Sequence, residues 1–259
     1  MTLREKLEAG PCFGTFLKLP RHEVVDILAL AGLDFVICDM EHAQMNEEDA
    51  RLVARTCAER GLTCIVRLPE PTSGVVNRLL EAGATGIQMP RLQTSAEVAA
   101  LVDMTRFPPA GRRSVGNANR LAGYGAVPIE RYIQRANEAV LTVGQFETRA
   151  FEEPLHAVTE HLDVAFIGPV DLSVDYGMPG QADHPSIQEH IRKVEAAAAR
   201  TGTVMGAFAG TAAQAERYLA AGYRFLAVSG DVTLLSTGAK ELVNILDGLR
   251  QTARQGTQT

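Results

Sequence analysis

Two acids stand where buried apolar runs stop. Leu141-Thr142-Val143-Gly144-Gln145-Phe146 leads directly into Glu147, and Val164-Ala165-Phe166-Ile167-Gly168-Pro169-Val170 into Asp171. A carboxylate just past a buried strand costs free energy unless something positive meets it. Two held close together need a cation between them or a shared proton. Oxygen donors without cysteine point to a hard divalent ion, Mg2+ or Mn2+, with Co2+ a further candidate. Only two protein ligands would leave positions open for substrate and water. The alternative is a pair of rim carboxylates neutralised by Arg67 or Arg149. Gln145 lies two residues before Glu147 and so faces the same way along a strand. It is placed to hydrogen-bond whatever the ion holds, or else is a satisfied core amide. Arg67 closes the run Thr63-Cys64-Ile65-Val66. Its guanidinium fork suits a carboxylate or an enolate oxygen, the alternative being an ion pair with Asp39 or Glu41. His42, just after those two acids, has the chemistry of a general base. Lys18, the one strand-end lysine, is a candidate for a Schiff base, although nothing else marks its strand.

These groups need strands to carry them to one place. Apolar runs and amphipathic helical patterns alternate almost to the end of the chain. The expected strands are Phe13–Leu19, Phe35–Asp39, Thr63–Arg67, Gly86–Met89, Leu141–Phe146, Val164–Ile167, Val204–Phe208 and Phe225–Val228. Expected helices include Arg21–Ala31, Glu47–Arg60, Ser73–Ala82, Ser95–Arg106, His184–Arg200, Thr211–Ala221 and Val232–Leu249. Three of them run into the same Ala-Gly phrase, at Gly32, Gly83 and Gly222, a repeated way of turning from helix to strand. Eight such units predict a single closed (β/α)8 barrel over 1–259, whose chemistry belongs at the C-terminal ends of its strands. A doubly wound sheet is the rival, but no glycine-rich dinucleotide loop follows any strand. Segment 107–139 breaks the rhythm and is expected as an insertion over the active-site mouth. Residues 251–259 are polar and expected to fray.

Composition narrows the partners. Of 259 residues, 46% are hydrophobic, enough for a large core, and the net charge of −6 argues against a nucleic-acid footprint. No apolar run reaches the roughly 18 residues of a membrane span, and the charged N-terminus lacks a signal-peptide core. Four scattered cysteines without a CxxC indicate free thiols in a reducing cytoplasm. There is no HxxxH pair, P-loop or GxSxG elbow.

Asp39-Met40-Glu41-His42, Ile65-Val66-Arg67, Gln88-Met89-Pro90, Phe107-Pro108-Pro109-Ala110-Gly111, Gln145-Phe146-Glu147-Thr148-Arg149 and Phe166 to Ser173 together resemble the metal-dependent (class II) pyruvate aldolases. These are the 4-hydroxy-2-oxoheptanedioate and 2-dehydro-3-deoxyglucarate aldolase family, and the likeness runs from about Gly14 to Leu249. The resemblance implies Glu147 and Asp171 as metal ligands. It implies that Gln145 and the backbone amides near Val170 and Asp171 hold the pyruvate unit, with Arg67 on the enolate oxygen and His42 as base. It also implies a hexamer built from dimers that exchange the last helix. Two departures stand out. Glu81 replaces the family's aspartate, which reaches the histidine from a neighbouring subunit. Ser114 replaces a glycine in the phrase after the paired prolines. The expected activity is reversible cleavage of a 4-hydroxy-2-oxo acid to pyruvate or hydroxypyruvate and an aldehyde. The alternatives are a citramalyl or malyl thioester lyase and a non-catalytic barrel that binds a 2-oxo acid.

Overall fold

The computed structural model describes residues 1–256. Its eight parallel strands close in sequence order: β1 (Cys12–Leu17), β2 (Phe35–Asp39), β3 (Thr63–Arg67), β4 (Gly86–Met89), β5 (Leu141–Phe146), β6 (Val164–Ile167), β7 (Val204–Ala209) and β8 (Phe225–Gly230). The helices are α1 (Leu3–Ala9), α2 (His22–Leu30), α3 (Glu47–Arg60), α4 (Ser73–Ala82), α5 (Ser95–Thr105), α6 (Ile129–Ala139), α7 (His156–Thr159), α8 (Pro169–Asp175), α9 (Pro185–Thr201), α10 (Ala212–Ala220) and α11 (Asp231–Gly256).

Local chemistry sets the ends of these elements. Asn46 and Asp49 form a reciprocal capping box that starts α3, and Gly61 ends it at φ 70°. Gly32, Gly83 and Gly222 all sit at positive φ, as the Ala-Gly phrases predict. Inside the barrel, Phe35 stacks on Phe225 with ring centroids 4.1 Å apart. Gly14 makes room for that pair, since a Cβ there would lie 2.4 Å from the Phe35 ring. Phe16, Ile37, Ile65, Val143 and Phe166 complete the inner layer, which Leu3 and Leu7 of α1 extend at the N-terminal end. Two outer layers bury the other strand faces, one against α2–α5 and one against α5, α7, α9 and α10.

Two expectations at the margins change. The segment 107–139 lines no part of the barrel mouth. α5 has already returned the chain to the N-terminal end, so the segment is a helix-to-strand connection along the outside. It packs Tyr132 edge-on to Phe107 and anchors Arg113 on Asn77 of α4 at 2.8 Å. The chain from Gln251, expected to fray, continues α11 as far as Gly256, and 257–259 lie outside the described residues. Finally, α11 touches little beyond β1 and β8, and leaves Leu234, Leu235, Leu242, Val243 and Ile245 exposed. The four cysteines are free and buried. Among the described residues, no helix is long and apolar enough to cross a membrane.

Candidate active site

At the C-terminal end of the barrel a cavity of about 300 Å3 is lined by Phe16, Lys18, His42, Arg67, Gln145, Phe166, Gly168 to Asp171, Phe208 and Ser229 to Thr233. Register explains the convergence. Asp39 of β2 pairs with Arg67 of β3, and Arg67 with Gln88 of β4, so one polar layer caps the apolar interior.

Arg67 is 4% exposed and is the hub of that layer. Its Nε donates to Asp39 Oδ1 at 2.9 Å and its Nη2 to Asp39 Oδ2 at 2.7 Å. Its Nη1 lies 3.1 Å from Glu41, and its guanidinium lies 4.7 Å from the centre of the Phe16 ring. The ion pair weighed from sequence is therefore formed, and with both acids. Arg67 still reaches the cavity, so the pair fixes the fork instead of removing it. Burial works to raise the Asp39 carboxyl, but the hydrogen bonds and charge of Arg67 outweigh it and hold the group below the usual carboxylate range. Asp39 Oδ1 also accepts the backbone N–H of Glu41 and of His42, each at 3.1 Å. One buried acid thus orients Arg67 and sets the turn that presents His42 to the mouth.

Glu147 is 2% exposed. Its Oε1 accepts the Arg91 N–H at 2.8 Å, and its Oε2 accepts the Gln145 side-chain amide. Gln145 in turn accepts from Gln88, so the expected orientation of Gln145 toward Glu147 is present. Burial pushes the Glu147 carboxyl up to about 7, opposed by the Gln145 hydrogen bond and reinforced by the negative charge of Asp171. Neither cation weighed as a neutralising partner serves there. Arg67 is committed to β2, and Arg149 donates its backbone N–H to Asp175 at 2.7 Å with its guanidinium 3.6 Å from the same oxygen. Asp171, in the first turn of α8, is exposed to the cavity and has no hydrogen-bonding or ion-pairing side-chain partner among the described residues. Gly168 leaves the space beside Glu147 open, since a Cβ there would lie 2.6 Å from Oε2. Two hard carboxylates with no protein cation between them fit a divalent ion that draws its other ligands from substrate and solvent. No cluster of three or more acid, histidine or cysteine ligands occurs among the described residues. Val170 and Asp171 occupy the first turn of α8, where backbone N–H groups have no intrahelical acceptor.

Glu81 is not brought to this mouth. It lies on α4 in an outer groove with Arg51, Arg55, Arg78, Arg120 and Tyr124. Gln88, read in the sequence only as part of a motif, extends the amide row. Three contributors went unnoticed there. Arg91 adopts φ 52° and aims its N–H at Glu147. Ser229 bends the end of β8 at φ 61°. Asp231 accepts the backbone N–H groups of Lys18, Leu19 and Val232, tying the ends of β1 and β8 together. Asp231 carried a legible signal, because it follows an apolar strand as Glu147 and Asp171 do. The backbone angles of Arg91 and Ser229 carried none.

Fold and site define a (β/α)8-barrel enzyme with a carboxylate pair, an arginine and a histidine at one rim. A family model described as HpcH/HpaI aldolase/citrate lyase matches residues 13–237, and the chain belongs to that family of aldolases and lyases. It is 34% identical over 233 residues to a hydroxypyruvate/pyruvate aldolase of Paraburkholderia phytofirmans, covering 87% of this chain and 89% of that one. It is likewise 34% identical over 243 residues to a 4-hydroxy-2-oxo-heptane-1,7-dioate aldolase of Salmonella heidelberg, covering 92% of each. The crystal structure of an HpcH/HpaI aldolase from Desulfitobacterium hafniense superposes with a TM-score of 0.89 at 32% identity, covering 95% of this chain and 96% of that one.

Proposed function

We propose that the enzyme reversibly cleaves a 4-hydroxy-2-oxo acid into pyruvate or hydroxypyruvate and an aldehyde, with a divalent cation held by Glu147 and Asp171. The observation that carries this reading is the pair itself: Asp171 lines one cavity with Arg67 and His42, and the buried Glu147 lies directly behind Gly168 and Gln145 of that lining, raised by burial and by the charge of Asp171. When bound, the ion supplies Lewis acidity where negative charge develops on the 2-oxo unit. The protein does the rest. The free N–H groups of Val170 and Asp171 hold the substrate carboxylate, and the row Gln88-Gln145-Glu147 fixes the direction of the Glu147 carboxylate. His42 takes the proton of the 4-hydroxyl. The C3–C4 bond then breaks, its electron pair passing to the C2 oxygen as the aldehyde forms. Arg67, already locked by Asp39, meets that charge without reorganising, which is where such catalysis gains most. In the synthetic direction His42 returns the proton.

The family resemblance and the bare surface of α11 support an oligomer, a hexamer built from three dimers in which that helix packs on a neighbouring copy. Glu81, remote from its own mouth, is then offered to the His42 of a second copy. Light scattering measures the mass, and a monomer at micromolar concentration overturns the assembly. For the activity, pyruvate release from 4-hydroxy-2-oxo acids is followed with a coupled dehydrogenase. The expected result is loss in EDTA and recovery with Mn2+ or Mg2+. No turnover with any metal leaves a 2-oxo-acid-binding barrel, and inactivation by borohydride with pyruvate replaces the mechanism with a Schiff base.

A further inference from the structure

A second cavity, of about 220 Å3, lies on the outer wall of the barrel. α4, α6 and the loop that leads into α6 enclose it, and none of its residues lines the mouth. Leu80, Ala84, Leu121, Ala136, Ala139 and Val140 form an apolar wall. The side-chain polar groups are few and of one kind. The Thr85 hydroxyl donates to the Cys64 carbonyl at 3.3 Å and is thereby used. What remains is the guanidinium groups of Arg113 and Arg135 and the hydroxyl of Tyr132, with no acid among the lining residues.

Arg113 is 6% exposed, and a buried charge is costly without a partner of opposite sign. Its partners are all neutral. Nε donates to Asn77 Oδ1 at 2.8 Å, Nη2 reaches the Tyr132 oxygen only at 3.5 Å, and the guanidinium lies 4.4 Å from the centre of the Phe107 ring. Glu81 acts on it through space without forming an ion pair, and burial outweighs that help and lowers the hold of Arg113 on its proton. A guanidinium carries five N–H donors, and those of Nη1 have no acceptor among the described residues. Tyr132, 3% exposed, repeats the pattern. Its oxygen accepts from Arg113 and from Asn119 Nδ2 at 3.3 Å, while its own O–H has no acceptor among the described residues. Arg135 stands three residues further along α6, on the same face as Tyr132, Ala136 and Ala139, and its guanidinium is also unengaged.

Donors that converge on an apolar cavity without an acceptor fit a carboxylate attached to a hydrocarbon body. An apolar cavity of about 150 Å3 holds benzene, so this one has room for a ring or a short branched chain together with its acid group. The wall offers no donor for a second charge at the other end.

We propose that this cavity is a second binding site, for a small monocarboxylate with an apolar body, whose carboxylate is held by Arg113 and Tyr132. The site is separate from the mouth and does not depend on the aldolase reading. Calorimetric titration of the full chain with benzoate and with 3-methylbutanoate tests it, with and without saturating pyruvate and Mn2+. At least one acid should bind once per chain, unaffected by pyruvate, and benzyl alcohol, a ring without the charge, should bind at least tenfold more weakly. Arg113→Gln should weaken the acid at least tenfold. Ala139→Leu, which fills the cavity and leaves every donor in place, should abolish binding. Tyr132→Phe, which keeps the ring and loses the O–H, should weaken it at least threefold, and this variant decides if either of the others fails to fold. No saturable binding of either acid overturns the proposal, as does benzyl alcohol binding equally well. Competition with pyruvate, or binding untouched by the three substitutions, places the acid elsewhere and overturns it too.

Discussion

Glu147 offers a test in which stability and chemistry pull apart. In metal-free protein its carboxyl is moved from 4.5 to about 7, chiefly by burial. At about 1.4 kcal/mol for each tenfold change in proton affinity, the fold disfavours the ionised form by about 3 kcal/mol. The sign follows from the direction. The folded state binds this proton more tightly than the unfolded chain does. The stabilisation from protonated Glu147 is therefore complete below about pH 4.5 and is lost as pH rises through 7. Glu147→Gln keeps the volume and removes the ionisation. Its new NH2 group meets the NH2 group of Gln145, but the amide row can reverse: Gln145 then accepts from position 147 and donates to Gln88, whose Oε1 has no partner in the present arrangement. At pH 8.5 in EDTA the variant should therefore be more stable than wild type by about 3 kcal/mol, a rise in Tm of about 5–10 °C for a chain of this size. At pH 5 the two should nearly coincide. Added Mn2+ should raise the Tm of the wild type and leave the variant where it was. Calorimetry at the two pH values with and without Mn2+ reads all of this. A Tm gap independent of pH, or a variant less stable at pH 8.5, refutes the claim that Glu147 carries an uncompensated buried charge.

The other predictions use the same cavity. Asp171→Asn should weaken Mn2+ binding in calorimetric titration by at least tenfold, and an unchanged Kd removes Asp171 from the ligand set. His42→Ala should lower the cleavage rate by about 10²–10⁴-fold with Mn2+ affinity nearly intact; lost affinity makes His42 a ligand instead. Arg67→Lys removes the bidentate fork and should lower kcat by about 10²-fold, and a wild-type rate reduces Arg67 to a structural partner of Asp39. Asp39→Ala leaves a buried guanidinium without its main partner and should cost about 3–5 kcal/mol in urea unfolding, whereas a loss below 1 kcal/mol shows that Glu41 suffices.

The sequence alone determined the barrel. Strand and helix periods are local properties, and eight alternations with glycine-ended helices leave few other ways to bury that much apolar surface. It also determined which residues face one another across the rim, because a carboxylate, an arginine or a histidine directly after a buried strand has only the C-terminal mouth in which to be solvated. Gln145, Glu147, Asp171, Arg67 and His42 were legible for that reason. Tertiary structure decided the partners and the directions. Only packing shows that Arg67 is held by Asp39 and Glu41, so that it does not neutralise Glu147 and Asp171. Backbone angles that no residue type announces aim the Arg91 N–H at Glu147. The long segment after α5 reads as a lid in one dimension, but α5 has already carried it to the opposite end of the barrel. Glu81 marks the limit most clearly. It is a charged residue on a helix, and only the closure of the ring puts it on the outer wall.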